Sequence, residues 1–215
     1  MINYFKIVSC LLISLSVTNS CTSNHSNRMN IPAKECIKLN NDGVQYLTNY
    51  PMNGKKELDK AIDLFKQAIT CDSTYTTAYI GLASAYDHKN SYGEEMITLN
   101  KLLKLVDNDP PILMWKGELF ERMNHADSAK NMYYLAKMGY KKRLQKHPDN
   151  ISSIEQLILL KALTDGKDEA IKELDEQIKN HPELSSKLSG QYVFYQYFDR
   201  HAFVFELQSE VPFNK

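Results

Sequence analysis

Residues 61–86 read AIDLFKQAITCDSTYTTAYIGLASAY, and the fold is decided by how this stretch is read. Ala61, Phe65 and Ala68 share one face of a helix, a large ring between two small residues. Tyr79, Leu82, Ala83 and Tyr86 then follow at helical spacing. Both patterns recur. Thirty-four residues beyond the first set lie Glu95, Leu99 and Leu102, and another thirty-four on lie Ala129, Tyr133 and Ala136. The second set is echoed by Leu113, Lys116, Gly117 and Phe120. Ile154, Leu157 and Lys161, then Ala170, Leu174 and Gln177, take the same slots between Pro148 and Pro182, which are themselves thirty-four apart. A fixed period of this length marks a repeat array, and no strand alternation interrupts it.

On these residues the chain resembles the tetratricopeptide repeat (TPR) family, whose pattern is W-x2-L-G-x2-Y…A-x3-F…P. The resemblance runs over about residues 36 to 184. It implies an all-α fold, an α-α superhelix: a TPR-like solenoid of about four helical hairpins plus a C-terminal capping helix pair, over residues 36–209. The physical reason for the pattern is packing. Small residues such as Ala61, Ala83, Gly117 and Ala129 let the helices of a hairpin approach, and aromatics such as Tyr79, Tyr86, Phe65, Phe120 and Tyr133 fill the space between hairpins. One hairpin cannot bury its apolar face alone, so units stack.

The departures from the pattern carry expectations too. The first helix is expected around Cys36 to Asn49, with Gly43 and Tyr46 in register, followed by six extra residues that Pro51, Asn53 and Gly54 place in a longer loop. Seven extra residues precede Pro148, so the second helix of the third unit should run long. Glu95, Leu102, Ile158 and Gln177 replace small residues in the second and fourth units. After Pro182 a helix is expected over Leu184 to Asp199 and a shorter one over Ala202 to Ser209. Tyr192, Phe194, Tyr195, Tyr197, Phe198, Phe203 and Phe205 crowd this end, too many to point inward from one helix. A terminal cap is the expected role, either alone or also docking a partner.

Residues 1–20 read as a signal peptide: Lys6 near the amino end, then the apolar run Ile7 to Val17, too short for the roughly 20 residues a bilayer span needs. Ser20-Cys21 resembles a bacterial lipobox, although Thr18 and Asn19 depart from its usual residues. The resemblance implies cleavage before Cys21, lipidation of its thiol and a membrane lipid anchor. Several acyl chains bind firmly where one binds only marginally. Residues 21–35 are polar, rich in Ser and Asn, and read as a flexible tether. Thr22 stands where some bacteria place an inner-membrane retention aspartate, which favours the outer membrane of a bacterial cell envelope.

Lys plus Arg equals Asp plus Glu at 26 each, so no nucleic-acid partner is implied. There is no phosphate loop, no G-x-S-x-G elbow and no H-E-x-x-H, and the six histidines include no i, i+4 pair. No catalytic residue, cofactor or metal is therefore expected, and the chain does not read as an enzyme. His147 and His181, each before a proline at an expected helix end, suit the negative dipole terminus. Asp107, Asn108 and Asp109 lack the glycine and glutamate of a calcium loop. Asp165 to Asp168 reads as a tight inter-helix turn.

Cys36 starts the first helix and Cys71 ends its antiparallel mate, so the hairpin brings them together as either a disulfide or two buried thiols. In TPR arrays the first helix of each hairpin lines a groove for a peptide or a partner's helix. The matching positions here are Asn40 and Val44, Ile80 and Ser84, Met114 and Glu118, Glu155 and Leu159. None is the Lys-Asn pair of the carboxylate-clamping subclass. Asp87, Glu118, Glu121 and Glu155 make the face slightly acidic, either as an ordinary solvated surface or as a groove for an apolar or basic segment. The expected function is a membrane-tethered scaffold or assembly factor for a protein or peptide partner. The alternative is a small secreted or periplasmic enzyme or ligand-binding protein on a helical frame.

Overall fold

The computed structural model describes residues 32–206. The expected signal peptide, Cys21 and most of the expected tether lie outside the described residues, as does the end of the expected last helix, residues 207–209. Those described form eleven α-helices and one short 3-10 helix, and no strand. They fall into two compact units that divide between Val106 and Asp107.

The first unit holds α1 (Lys34–Asn53), α2 (Lys56–Cys71), α3 (Thr76–His88) and α4 (Tyr92–Leu105). α1 pairs with α2, α3 pairs with α4, and α2 packs on α3. The reason is the face read above: Ala61, Phe65 and Ala68 of α2 and Ala78, Leu82 and Ala85 of α3 are all buried. The Phe65 ring fits because glycines face it from both sides. A Cβ on Gly43 of α1 would come within 2.9 Å of the ring, and one on Gly81 of α3 within 2.3 Å. Each glycine forgoes about 1 kcal/mol of helix propensity relative to alanine, and the seated ring offsets it. Cys36 and Cys71 are joined by a disulfide, with Cα atoms 5.5 Å apart, across the open end of the α1–α2 hairpin.

The extra residues after Asn49 do not form the longer loop expected of them. α1 continues through Pro51 to Asn53 and stops at Gly54, whose φ is +85° and whose N–H donates to the Tyr50 carbonyl at 2.8 Å. Proline lacks one donor, and in the last turn that removes one hydrogen bond without breaking the helix. α1 also begins at Lys34, two residues before the expected start.

The second unit holds α5 (Pro110–Arg122), α6 (Ala126–Lys146), α7 (Ile151–Asp165) and α8 (Lys167–Asn180). The 3-10 turn Pro182–Leu184 and the short α9 (Ser185–Ser189), α10 (Tyr192–Gln196) and α11 (Arg200–Phe205) follow. α5 pairs with α6 and α7 with α8, α6 packs on α7, α9 and α10 cover α8, and α11 reaches α5. Tyr133 of α6 repeats the Phe65 contact, since a Cβ on Gly117 of α5 would lie 2.4 Å from its ring. α6 has 21 residues, as the spacing before Pro148 requires. Gly139 lets it pass Pro110 closely, and Arg143 ties its last turns back to Asp109.

The expected helix over Leu184 to Asp199 is instead broken into two short helices, α9 and α10. The chain turns at Gly190 and Gln191, and Asp199 caps α11 by accepting a hydrogen bond from the Ala202 N–H at 3.0 Å, so this helix starts at Arg200. The break lets Leu188, Tyr195, Phe198 and Val204 all be buried, which one straight helix could not achieve with these residues. Tyr197 and Phe205 remain exposed, and Tyr192 hydrogen-bonds Asp175.

The turns repeat as well as the helices. Asn90 and Asn124, thirty-four apart, both adopt left-handed backbone, with φ of +56° and +60°. In each case the next N–H reaches back to an aromatic residue's carbonyl: Ser91 to Tyr86 at 2.9 Å, His125 to Phe120 at 2.8 Å. Asparagine tolerates this conformation better than other residues with a side chain, and the turn satisfies carbonyls that the helix end leaves open. Gly166, φ +98°, makes the corresponding turn between α7 and α8.

Candidate functional site

The ten residues of the expected groove differ in exposure within each unit. In the first unit Asn40 is buried, Val44 is exposed, and Ile80, Ser84 and Asp87 are half-buried. In the second unit Met114, Glu121 and Leu159 are buried, with Glu118 and Glu155 half-buried. Asn40, Met114 and Leu159 thus expose too little surface to line an open groove.

Two of the expected groove carboxylates are engaged by the C-terminal segment. Gln191 donates to Glu155 at 2.6 Å, and Arg200 donates to Glu121 at 2.6 Å while its Nε donates to the Leu163 carbonyl at 2.7 Å. Burial pushes the Glu155 carboxyl above the usual carboxylate range, against the opposing pull of the Gln191 hydrogen bond and of Lys187. The acidic face of this unit is therefore largely answered from within. Asp107 and Asn108 hold left-handed backbone in a turn, and among the described residues no group of His, Cys, Asp and Glu is arranged to hold a metal ion.

A different feature of the second unit is open. A cleft of about 860 Å³ lies between the end of α5, the N-terminal half of α6, the end of α7 and α11. Leu160 and Leu163 of α7 give it an apolar floor, and Tyr134 and Phe205, both exposed, stand at its edge. One wall is the α6 stripe Lys130, Tyr133, Lys137, spaced i, i+3, i+7, which puts all three on one helical face.

Tyr133 is the unusual member. The slot is apolar elsewhere (Phe65, Leu99, Leu174), and all four residues are buried. Burial, with the Glu118 and Glu121 carboxylates nearby, pushes the Tyr133 phenol far above its ordinary range, so it stays a protonated donor. This hydroxyl is buried beside the Glu121 carboxylate, towards which it donates, though without ordinary hydrogen-bond geometry.

Glu121 stands out in the sequence as a groove carboxylate, whereas Lys130, Lys137, Gln191 and Arg200 do not, and Tyr133 reads there only as a packing ring. The signal for Tyr133 was a hydroxyl in a slot where the other repeats place apolar side chains. Lys130 and Lys137 had the signal of flanking it on one face. Arg200 and Gln191 had none, because the path of a short broken segment depends on tertiary packing. Compared with protein-family models and with curated proteins, the chain matches none.

Proposed function

We propose that the chain is a membrane-tethered scaffold: a TPR-type solenoid, carried on a lipid anchor at Cys21, that binds a protein or peptide partner at a bacterial cell envelope. The observation that carries this reading is the recurrence of one contact and one turn at the period of the sequence. Aromatic rings sit on glycine at Gly43–Phe65 and Gly117–Tyr133, and asparagine turns follow at Asn90 and Asn124. Hairpins that repeat in this way present surfaces and leave sites to be added between them. The apolar run ending at Ser20-Cys21 supports the tether, and Thr22 favours the outer over the inner membrane.

The test is fractionation of cells expressing the wild-type chain and Cys21→Ser, with mass spectrometry of the mature amino terminus and crosslinking in intact membranes. A mature chain that begins at an acylated Cys21, is released by the substitution, and crosslinks reproducibly to one envelope protein is expected. An intact Met1, or membrane association that survives the substitution, would remove the tether from the proposal.

A further inference from the structure

We infer that the cleft of the second unit binds an acidic, partly apolar peptide segment in extended conformation, through Lys130 and Lys137 of α6; this rests on the scaffold reading above. The charge balance of the cleft points to an anion. Its two carboxylates are already neutralised, Glu121 by Arg200 at 2.6 Å and Asp165 by Lys161 at 3.3 Å. Lys130 and Lys137 have no ion-pair partner among the described residues, so the wall keeps two uncompensated positive charges. The Tyr133 ring lies between them on the same stripe. Two cations on one face are the complement of a carboxylate pair.

The spacing selects the shape of the ligand. Seven residues of α-helix separate the lysines by about 10 Å along the axis. In a polyproline II strand, residues three apart share a face and are about 9 Å apart. Two acidic side chains at i and i+3 therefore match the two lysines. The residues between them would meet the apolar floor of Leu160 and Leu163, with the Phe205 ring at its edge. The two lysines lie on the second helix of their hairpin, while Glu121 of the first-helix groove positions also lines the cleft.

The experiment uses the purified full chain and a fluorescent, end-blocked Glu-Pro-Leu-Glu peptide, with Gln-Pro-Leu-Gln as its uncharged counterpart. The acidic peptide should bind at least about tenfold more tightly, and added salt should reduce the difference. The double variant Lys130→Gln, Lys137→Gln should abolish that preference without changing the melting temperature, because neither lysine is in the core. Equal binding of both peptides, or an unchanged preference in the lysine variant, overturns the inference. Displacement by inorganic phosphate at the same concentration as unlabelled acidic peptide would show that charge alone is read, and overturns the peptide assignment. The scaffold reading is judged by crosslinking in membranes, which uses no peptide, so either can fail without the other.

Discussion

Phe65 and Tyr133 occupy one repeat slot two periods apart, and their surroundings differ in a way that separates packing from function. Phe65 is closed in on both sides, by Gly43 and by Gly81, in a core of small and aliphatic residues. Tyr133 rests on Gly117 on one side and borders an open cleft on the other. The ring does the same packing in both places, and its neighbours on the helix face repeat (Ala61 and Ala68, Ala129 and Ala136). Only the second unit adds a hydroxyl, and only there is the slot flanked by lysines on the same wall. The repeat accounts for the ring. It gives no reason for the hydroxyl or for the lysines.

The largest difference between the units is covalent. The disulfide closes a loop of 35 residues in the first unit, while the second unit contains no cysteine. Constraining a loop of that length stabilises by about 3–4 kcal/mol in the chain-entropy model. The double variant Cys36→Ala, Cys71→Ala should lose on that order and shift protection in hydrogen exchange mainly in α1 and α2. Equal loss of protection in α5 and α6 would break the picture of two separately stabilised units.

Gly81 and Gly117 test the closure of the two rings directly. Gly81→Ala should destabilise by about 1–3 kcal/mol, even after the gain in helix propensity, because Phe65 has nowhere to go. Gly117→Ala should cost clearly less, since the Tyr133 ring can move towards the cleft. Denaturant midpoints for the pair decide it, and equal shifts would mean that the second ring is as enclosed as the first.

Much of this was legible before any coordinates. The period places the four hairpins, the excess before Pro148 predicts the long α6, and the hairpin geometry brings Cys36 to Cys71. These follow from local spacing, which the chain states directly. The continuation of α1 through Pro51 was not legible, because a proline in a last turn is tolerated where the same residue mid-helix is not. Nor was the break at Gly190, which answers to the burial of Tyr195 and Phe198 rather than to helix propensity. Asn90 and Asn124 were a readable signal, since asparagine recurring at the period marks a left-handed turn. The expected groove was least legible. Its carboxylates Glu121 and Glu155 were placed correctly on first helices, but Arg200 and Gln191 reach them from far along the chain.

The smallest expected effect is also the sharpest test of the comparison. Exchanging the two side chains tests whether the hydroxyl belongs to the packing. Phe65→Tyr puts an oxygen into the closed core of the first unit, with Gly43 and Gly81 both against the ring, and should cost about 1–3 kcal/mol for a buried polar group without a partner. Tyr133→Phe removes a hydroxyl that faces Glu121 without ordinary hydrogen-bond geometry and keeps the ring on Gly117. If that hydroxyl contributes nothing to the fold, the variant should be neutral or more stable, by up to about 1 kcal/mol, since a poorly placed donor has been deleted without opening a cavity. The melting temperature of the purified chain measures it. A Tyr133→Phe variant that melts well below wild type would show that the hydroxyl serves the core after all, and Phe65 and Tyr133 would then differ in chemistry alone.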